Sequence, residues 1–186
     1  KINNNSVEIN SEKVGSTLQG HTEEVINMIA DNTGRYLVSF SKKETMLWDF
    51  KEAMSYKISD NQGYKPLVFS TTKPILVLSK MISNDLDKLN IVLFDLEKKS
   101  IIMDQVNLTS GYIPNYSEDH KGNFAIDASF SPDGQTLSIV QTITRGTEDK
   151  SPWIPFDPPP PQNIFLLNFE SLLGDNYLHS KVSDKF

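Results

Sequence analysis

The sequence predicts an all-β fold made of repeated antiparallel sheets. Three observations support this class. Short apolar runs alternate with polar residues at the period of two that half-buried strands require. Turn-forming Gly, Pro, Asn and Asp separate these runs at short intervals. Related groups of runs recur along the 186 residues, with insertions of unequal length between them.

Composition excludes several classes of protein. Hydrophobic residues make up 38% of the chain and charged residues 23%, as in an ordinary globular protein. The chain has no cysteine, so disulfides and thiolate metal sites are excluded. The formal net charge of −6 and the scattered Lys and Arg argue against direct binding of nucleic acid.

The ends and the hydropathy of the chain give two expectations about its context. No apolar run approaches the roughly 18 residues that cross a bilayer, so no membrane span is expected. The chain begins with Lys1, and no signal-peptide pattern follows it. We therefore expect a piece of a longer protein, or a processed end, and an intracellular location.

The clearest repeat runs from Gly20 to Phe50. It opens with Gly20-His21 and closes with Trp48-Asp49, and between them lie three alternating runs and two turns. This stretch resembles one WD repeat, the unit of a WD-type β-propeller. The strands predicted here are 25–30, 36–41 and 45–49, with a fourth over 55–58.

Two further repeats are more divergent. In the second, Phe94-Asp95 replaces Trp-Asp, and the predicted strands are 66–70, 75–79, 91–95 and 100–104. The third begins at Phe124 and contains Ser131-Pro132-Asp133-Gly134, which resembles the turn between the first two strands of many propeller blades. Its next strands are predicted over 137–144 and 164–169, and residues 170–178 fit either a short helix or an outer strand.

Two sets of residues align the three repeats. We take Leu37, Leu76 and Leu137 as equivalent in the second strands, and Trp48, Phe94 and Leu167 as equivalent in the third strands. The intervals between the two sets differ only through inserted loops, as stacked repeats predict. The insertions are predicted at 81–90, 105–123 and 145–162.

The repeats add up to about three and a half blades, because residues 6–18 look like the last two strands of an earlier blade. Closed propellers have about 4 to 8 blades. The resemblance therefore implies that residues 1–186 form one partial WD-repeat propeller domain. Three explanations stay open: the ring continues in a longer chain, a second chain completes it, or the fold is a smaller all-β sandwich.

The resemblance also implies a structural network of His21, Ser39 and Trp48, with Asp49 as part of the same blade framework. In the family an Asp in the turn before the third strand completes this network, and here that turn is Lys42-Lys43-Glu44. The Asp of that pattern is therefore missing. The network is expected to satisfy buried polar groups rather than to catalyse a reaction.

No other motif predicts chemistry. The three histidines, His21, His120 and His179, are far apart and form no ligand pattern. No phosphate loop or nucleophile elbow occurs. We therefore expect no metal, no cofactor and no catalytic residue.

Two loops are candidates for binding other proteins. The proline-rich insertion carries Trp153, Ile154 and Phe156 beside four consecutive prolines, which hold an extended form at low entropic cost. The alternative is that it packs over its own fold. Tyr112 and Tyr116 lie in the connection before the third repeat, where they would either bind a partner or cover the edge of a core.

The function implied by the resemblance is a non-enzymatic scaffold that presents loops to other proteins in a multi-protein assembly. One alternative is a propeller like those of periplasmic translocation proteins and prolyl peptidases, which supports an enzyme or an envelope complex. Another is a half-propeller that closes by dimerisation.

Overall fold

The computed structural model describes residues 18–80, 88–109, 123–144 and 162–174. In this part of the chain eleven strands form three antiparallel sheets, so the fold is all-β, as predicted. The chain divides into two compact units, residues 1–107 and 108–186, and each is described by itself. Their union in one domain over residues 1–186 stays a prediction.

The first unit contains two four-stranded meanders. The first sheet has the order β1-β2-β3-β4, and its strands are Asn27–Ala30, Tyr36–Phe40, Thr45–Asp49 and Met54–Ser59. The second sheet has the order β5-β6-β7-β8, and its strands are Tyr64–Phe69, Ile75–Lys80, Lys88–Asp95 and Ser100–Thr109.

The second unit contains a three-stranded sheet with β10 in the centre. Its strands are β9 (Asn123–Phe130), β10 (Thr136–Thr144) and β11 (Gln162–Asn168). A single helical turn over 169–174 follows β11. Of the two alternatives predicted for the tail, a short helix or an outer strand, the helix is therefore found as far as residue 174.

The predicted strand ends need several corrections. Strand β1 begins at Asn27 rather than at residue 25, and β5 begins at Tyr64 rather than at residue 66. Strands also reach into every predicted insertion: β7 begins at Lys88, β8 continues to Thr109, and β9 and β11 begin at Asn123 and Gln162. Backbone pairing explains the difference, because strand ends such as Asn90, paired with Lys80, need no apolar side chain.

The predicted alignment of the three repeats is confirmed by the pairing of the strands. Each residue of the first set lies opposite the matching residue of the second: Leu37 opposite Trp48, Leu76 opposite Phe94, and Leu137 opposite Leu167. The three sheets therefore share one register between their second and third strands. The predicted strands within residues 6–18 lie almost wholly outside the described residues.

The turns repeat as well as the strands. The residue after each third strand donates its backbone N–H to the residue before each second strand, in the pairs Phe50–Arg35, Leu96–Pro74 and Phe169–Gln135. The last residue of each third strand, Asp49, Asp95 or Asn168, accepts backbone N–H groups of the turn that follows it. These side chains stabilise the turn by an Asx-type bond.

The first two strands of the first and third sheets are joined by similar turns. Gly34 and Gly134 adopt φ values of 72° and 70°, which glycine reaches without a steric penalty. Each glycine donates its N–H to the residue three positions before it, Asp31 in one turn and Ser131 in the other. The proline-containing turn of the third repeat thus forms where the sequence predicts it.

The core of the first unit lies between its two sheets. Tyr36, Val38 and Leu47 of the first sheet pack with Leu76, Leu78, Val92 and Phe94 of the second sheet, and all of them are buried. Alternation along the strands puts these residues on one face of each sheet. The second unit has its own buried residues, Leu137, Ile139, Phe169 and Leu173.

Candidate functional site in the first sheet

The polar side chains of the first sheet are positioned by a short segment that precedes β1. Gly20 lies so close to the sheet that a Cβ atom there would be 3.1 Å from the Trp48 ring and 3.3 Å from the end of Met46. Glycine allows this close approach because it has no side chain. The approach places the next residue, His21, against the same face of the sheet.

His21, Ser39 and Trp48 form a hydrogen-bonded chain. The indole N–H of Trp48 donates to Ser39 Oγ at 2.8 Å, and His21 Nε2 lies 2.6 Å from the same oxygen. Ser39 and Trp48 are both buried. One hydroxyl therefore serves two ring nitrogens that would otherwise be desolvated without a partner.

The turn before β3 has no Asp, as the sequence shows, but it supplies another acid to this network. Glu44, in the turn before β3, is buried, and its Oε2 atom lies 3.7 Å from His21 Nδ1. The same oxygen accepts the Thr22 backbone N–H at 3.0 Å, and Lys57 donates to Oε1 at 3.1 Å. Glu44 thus supplies the carboxylate of this network.

One assignment of the protons is consistent with all of these contacts. Ser39 Oγ accepts from Trp48, so its own proton is free to be donated to His21 Nε2. In this assignment the proton of the neutral ring is on Nδ1, 3.7 Å from the Glu44 carboxylate, whose charge favours it there. Burial lowers the pKa of His21, although the Glu44 charge opposes this effect. The ring is therefore neutral at pH 7.

The order Ser39–His21–Glu44 matches the order of groups in a serine hydrolase, but the serine here is buried and already bonded to a neighbour. Ser39 is only 6% exposed, and its oxygen is already engaged by the Trp48 indole. A nucleophile must be reachable by a substrate carbonyl and must have donors nearby for the oxyanion. The network is therefore suited to holding the 20–22 segment on the sheet.

Asp49 lies in a second network, not in the first. Successive residues of a strand point to opposite faces, so Asp49 points away from the face of Trp48. Its carboxylate forms a two-pronged ion pair with Arg35, with N–O distances of 3.1 and 2.9 Å, and Lys99 donates to it at 3.0 Å. The prediction that joined Asp49 to the His21 framework is corrected accordingly.

This second network connects the two sheets of the first unit. Lys99 comes from the turn between β7 and β8, and its ammonium lies 4.7 Å from the ring centroids of both Tyr36 and Tyr56. The Arg35 guanidinium lies 4.6 Å from the Tyr36 centroid. Cation–π contacts of this geometry add to the ion pairs on Asp49.

The pKa values follow from this arrangement. Burial raises the pKa of Asp49, but the hydrogen bonds from Arg35 and Lys99 outweigh it and hold the pKa well below its usual range. Burial raises the pKa of Tyr36 and of Tyr56 to about 12. Asp49 is therefore charged, and both phenols are neutral, over the physiological pH range.

The structure does not test the remaining candidates from the sequence. Trp153, Ile154, Phe156, Tyr112 and Tyr116 all lie outside the described residues. Conversely, the sequence reasoning missed Glu44, Arg35 and Lys99. Arg35 could have been found, because its neighbour Tyr36 lies opposite Asp49 once the register of β2 and β3 is known.

Other kinds of site were sought in the described part of the chain. It holds no group of three or more His, Asp or Glu side chains placed to bind a metal ion. None of its helices has the length and apolar character needed to cross a membrane. A cavity of about 300 Å³ lies between the ends of β1 and β5, and its lining, which includes Ile29 and Phe69, contains no titratable side chain.

Comparison with known proteins does not identify a family for this chain. No protein-family model matches the chain, and no curated protein matches it either.

Proposed function

We propose that the chain is a segment of a WD-repeat β-propeller and acts as a non-enzymatic scaffold for other proteins. The observation that carries the proposal is the common framework of the three sheets. They share one register between second and third strands and one backbone bond across the third-strand turn. Inserted loops differ in length while this framework stays the same, as in scaffolds that bind through their loops.

The buried polar groups support a structural role. The His21 ring, the Ser39 hydroxyl and the Glu44 carboxylate bond one another or nearby backbone, and Asp49 is held by two cations. Each of these groups is already used in packing the first sheet. Binding specificity is then left to loops, among which the proline-rich insertion with Trp153 and Phe156 is our candidate.

The proposal is tested by isolating complexes of the full chain, tagged, from cells. The variant Trp153→Ala/Phe156→Ala removes both aromatic anchors, and we expect it to lose a partner that the wild type retains in fixed ratio. The matched control is Trp153→Phe/Phe156→Tyr, which keeps aromatic area in the loop and should keep the partner.

Thermal melting of each variant separates binding from folding. An unchanged melting temperature with a lost partner supports a binding loop. If every variant isolates the same proteins in the same ratio, or the wild type isolates none in fixed ratio, the scaffold proposal in this form is refuted.

A further inference from the structure

The first sheet has an open apolar surface on the face that carries Trp48. We define this Trp48 face as Leu37, Ser39, Met46 and Trp48 together with Ile26, Met28 and Ala30. The pairing of β1 with β2 puts Met28 opposite Ser39 and Ala30 opposite Leu37, on the same side of the sheet. Met28 is 61% exposed and Ile26 is 54% exposed. Among the described residues, the segment that contains His21 therefore covers Ser39, Met46 and Trp48, while Met28 and Ile26 are left exposed.

The corresponding face of the second sheet is covered. Phe94 is the counterpart of Trp48, and Phe69 lies opposite Leu76 as Ala30 lies opposite Leu37. Phe94, Leu76 and Phe69 all pack on the first sheet, against its face of Tyr36, Val38 and Leu47. We call that surface the Leu47 face. In the first unit, the face of the second sheet that corresponds to the Trp48 face therefore packs on the Leu47 face of the first sheet.

The third sheet, taken by itself, has an open Leu47-type face. Leu166 lies opposite Ser138 as Leu47 lies opposite Val38, so Leu166 is the counterpart of Leu47. Leu47 is fully buried, whereas Leu166 is 71% exposed and its neighbour Ile164 is 65% exposed. Val140, opposite Ile164, is only partly buried. We call Val140, Ile164 and Leu166 with Ser129 and Ser138 the Leu166 face.

The polar residues of the Leu166 face do not prevent its burial. The hydroxyls of Ser129 and Ser138 lie 3.0 Å apart, and Ser138 also bonds the Ser129 carbonyl at 3.1 Å. Polar groups that already bond each other can be buried at low cost. Asp127, beside Val140, corresponds to Asn27 of the first sheet, which is also polar.

We propose that the Leu166 face of one copy of this chain packs on the Trp48 face of a second copy. The inference rests on the repeat framework of the proposed function. One chain carries both members of an interface already present between its first two sheets, and in the described residues the apolar side chains of both are exposed. This contact buries the exposed apolar side chains of both faces, which a single copy leaves in water.

The test is the solution mass of the full chain, measured by light scattering after size exclusion. We expect a dimer or a larger assembly for the wild type and a monomer for Met28→Lys and for Leu166→Asp. Both side chains are exposed in the single copy, so folding should tolerate the changes, and circular dichroism checks this. If either variant does not fold, Ile26→Lys or Ile164→Asp replaces it. Phe50→Lys, an exposed position in the turn after β3, is the matched control and should stay associated.

A mixing experiment gives the sharper result. Met28→Lys and Leu166→Asp, each monomeric alone, should form a mixed dimer when combined in equal amounts. The contact then joins the two unaltered faces, namely the Leu166 face of the Met28→Lys variant and the Trp48 face of the Leu166→Asp variant. A monomeric wild type overturns the proposal, and so does an assembly that survives both single variants. Because the purified chain is measured alone, this outcome is independent of whether the scaffold proposal stands.

Discussion

Replacing Ser39 with alanine removes the hydroxyl that accepts from Trp48 and donates to His21. The substitution deletes one oxygen and leaves the fold of the strand unchanged. The Trp48 indole N–H and His21 Nε2, at 2.8 and 2.6 Å from that oxygen, then have no partner. Each buried polar group left unpaired costs about 1–3 kcal/mol. His21 is near the surface segment and has some access to water, so we expect a total loss of about 3 kcal/mol.

Ser55→Ala is a matched control in the same sheet. Ser55 is 5% exposed, compared with 6% for Ser39, and it lies opposite Trp48 on β4. Its hydroxyl has no hydrogen-bond partner among the described residues. Removing that hydroxyl leaves no group unpaired, so we expect the free energy of unfolding to change by less than about 0.5 kcal/mol, or to rise.

Urea unfolding of the full chain measures both effects. The chain has two tryptophans, and a Trp153→Phe background leaves Trp48 as the sole indole reporter of the first sheet. We expect the midpoint of the Trp48 transition to fall for Ser39→Ala and to stay in place for Ser55→Ala. Equal losses for the two variants would show that packing of the β-strand, not the polar network, explains the cost.

Three further predictions concern charge and backbone strain in the first unit. Lowering the pH from about 7 to 5 should destabilise the wild type more than His21→Gln in urea titrations, because the lowered pKa of His21 makes proton uptake favour the unfolded chain. Asp49→Asn should cost about 2–3 kcal/mol in the same assay, since it leaves Arg35 and Lys99 without their shared anion. Ala53→Gly should raise the melting temperature and stabilise by up to about 1 kcal/mol, because Ala53 has a φ of 51°.

The register of the sheets was predictable because it depends on local periodicity. Leu37 and Trp48 belong to adjacent strands joined by a short turn, so the alternation on each strand fixes which residues meet. The same logic held for Leu76 with Phe94 and for Leu137 with Leu167, across much longer insertions. Strand ends were predicted less well, since backbone pairing continues past the last apolar side chain.

The acid of the His21 network was missed because it was sought by residue type. What matters for this network is whether a carboxylate oxygen reaches His21 and Thr22, and either Asp or Glu can supply one. Glu44 has one more methylene group than Asp, and its oxygen still meets the Thr22 N–H at 3.0 Å. Lys99 could not be found from local pattern at all, because fifty residues separate it from Asp49 and only the packing of two sheets brings them together.

The repeats also explain why one sheet needs a polar network and two do not. Ser39 lies two residues after Leu37, and the same position holds Leu78 in the second sheet and Ile139 in the third. The counterparts of Trp48 there are Phe94 and Leu167, which have no N–H to satisfy. The hydroxyl is therefore present where the indole is, and apolar side chains replace both elsewhere. Ser and Trp occur together in one sheet and are replaced together in the other two. This is expected if the buried indole N–H needs the serine hydroxyl as its acceptor.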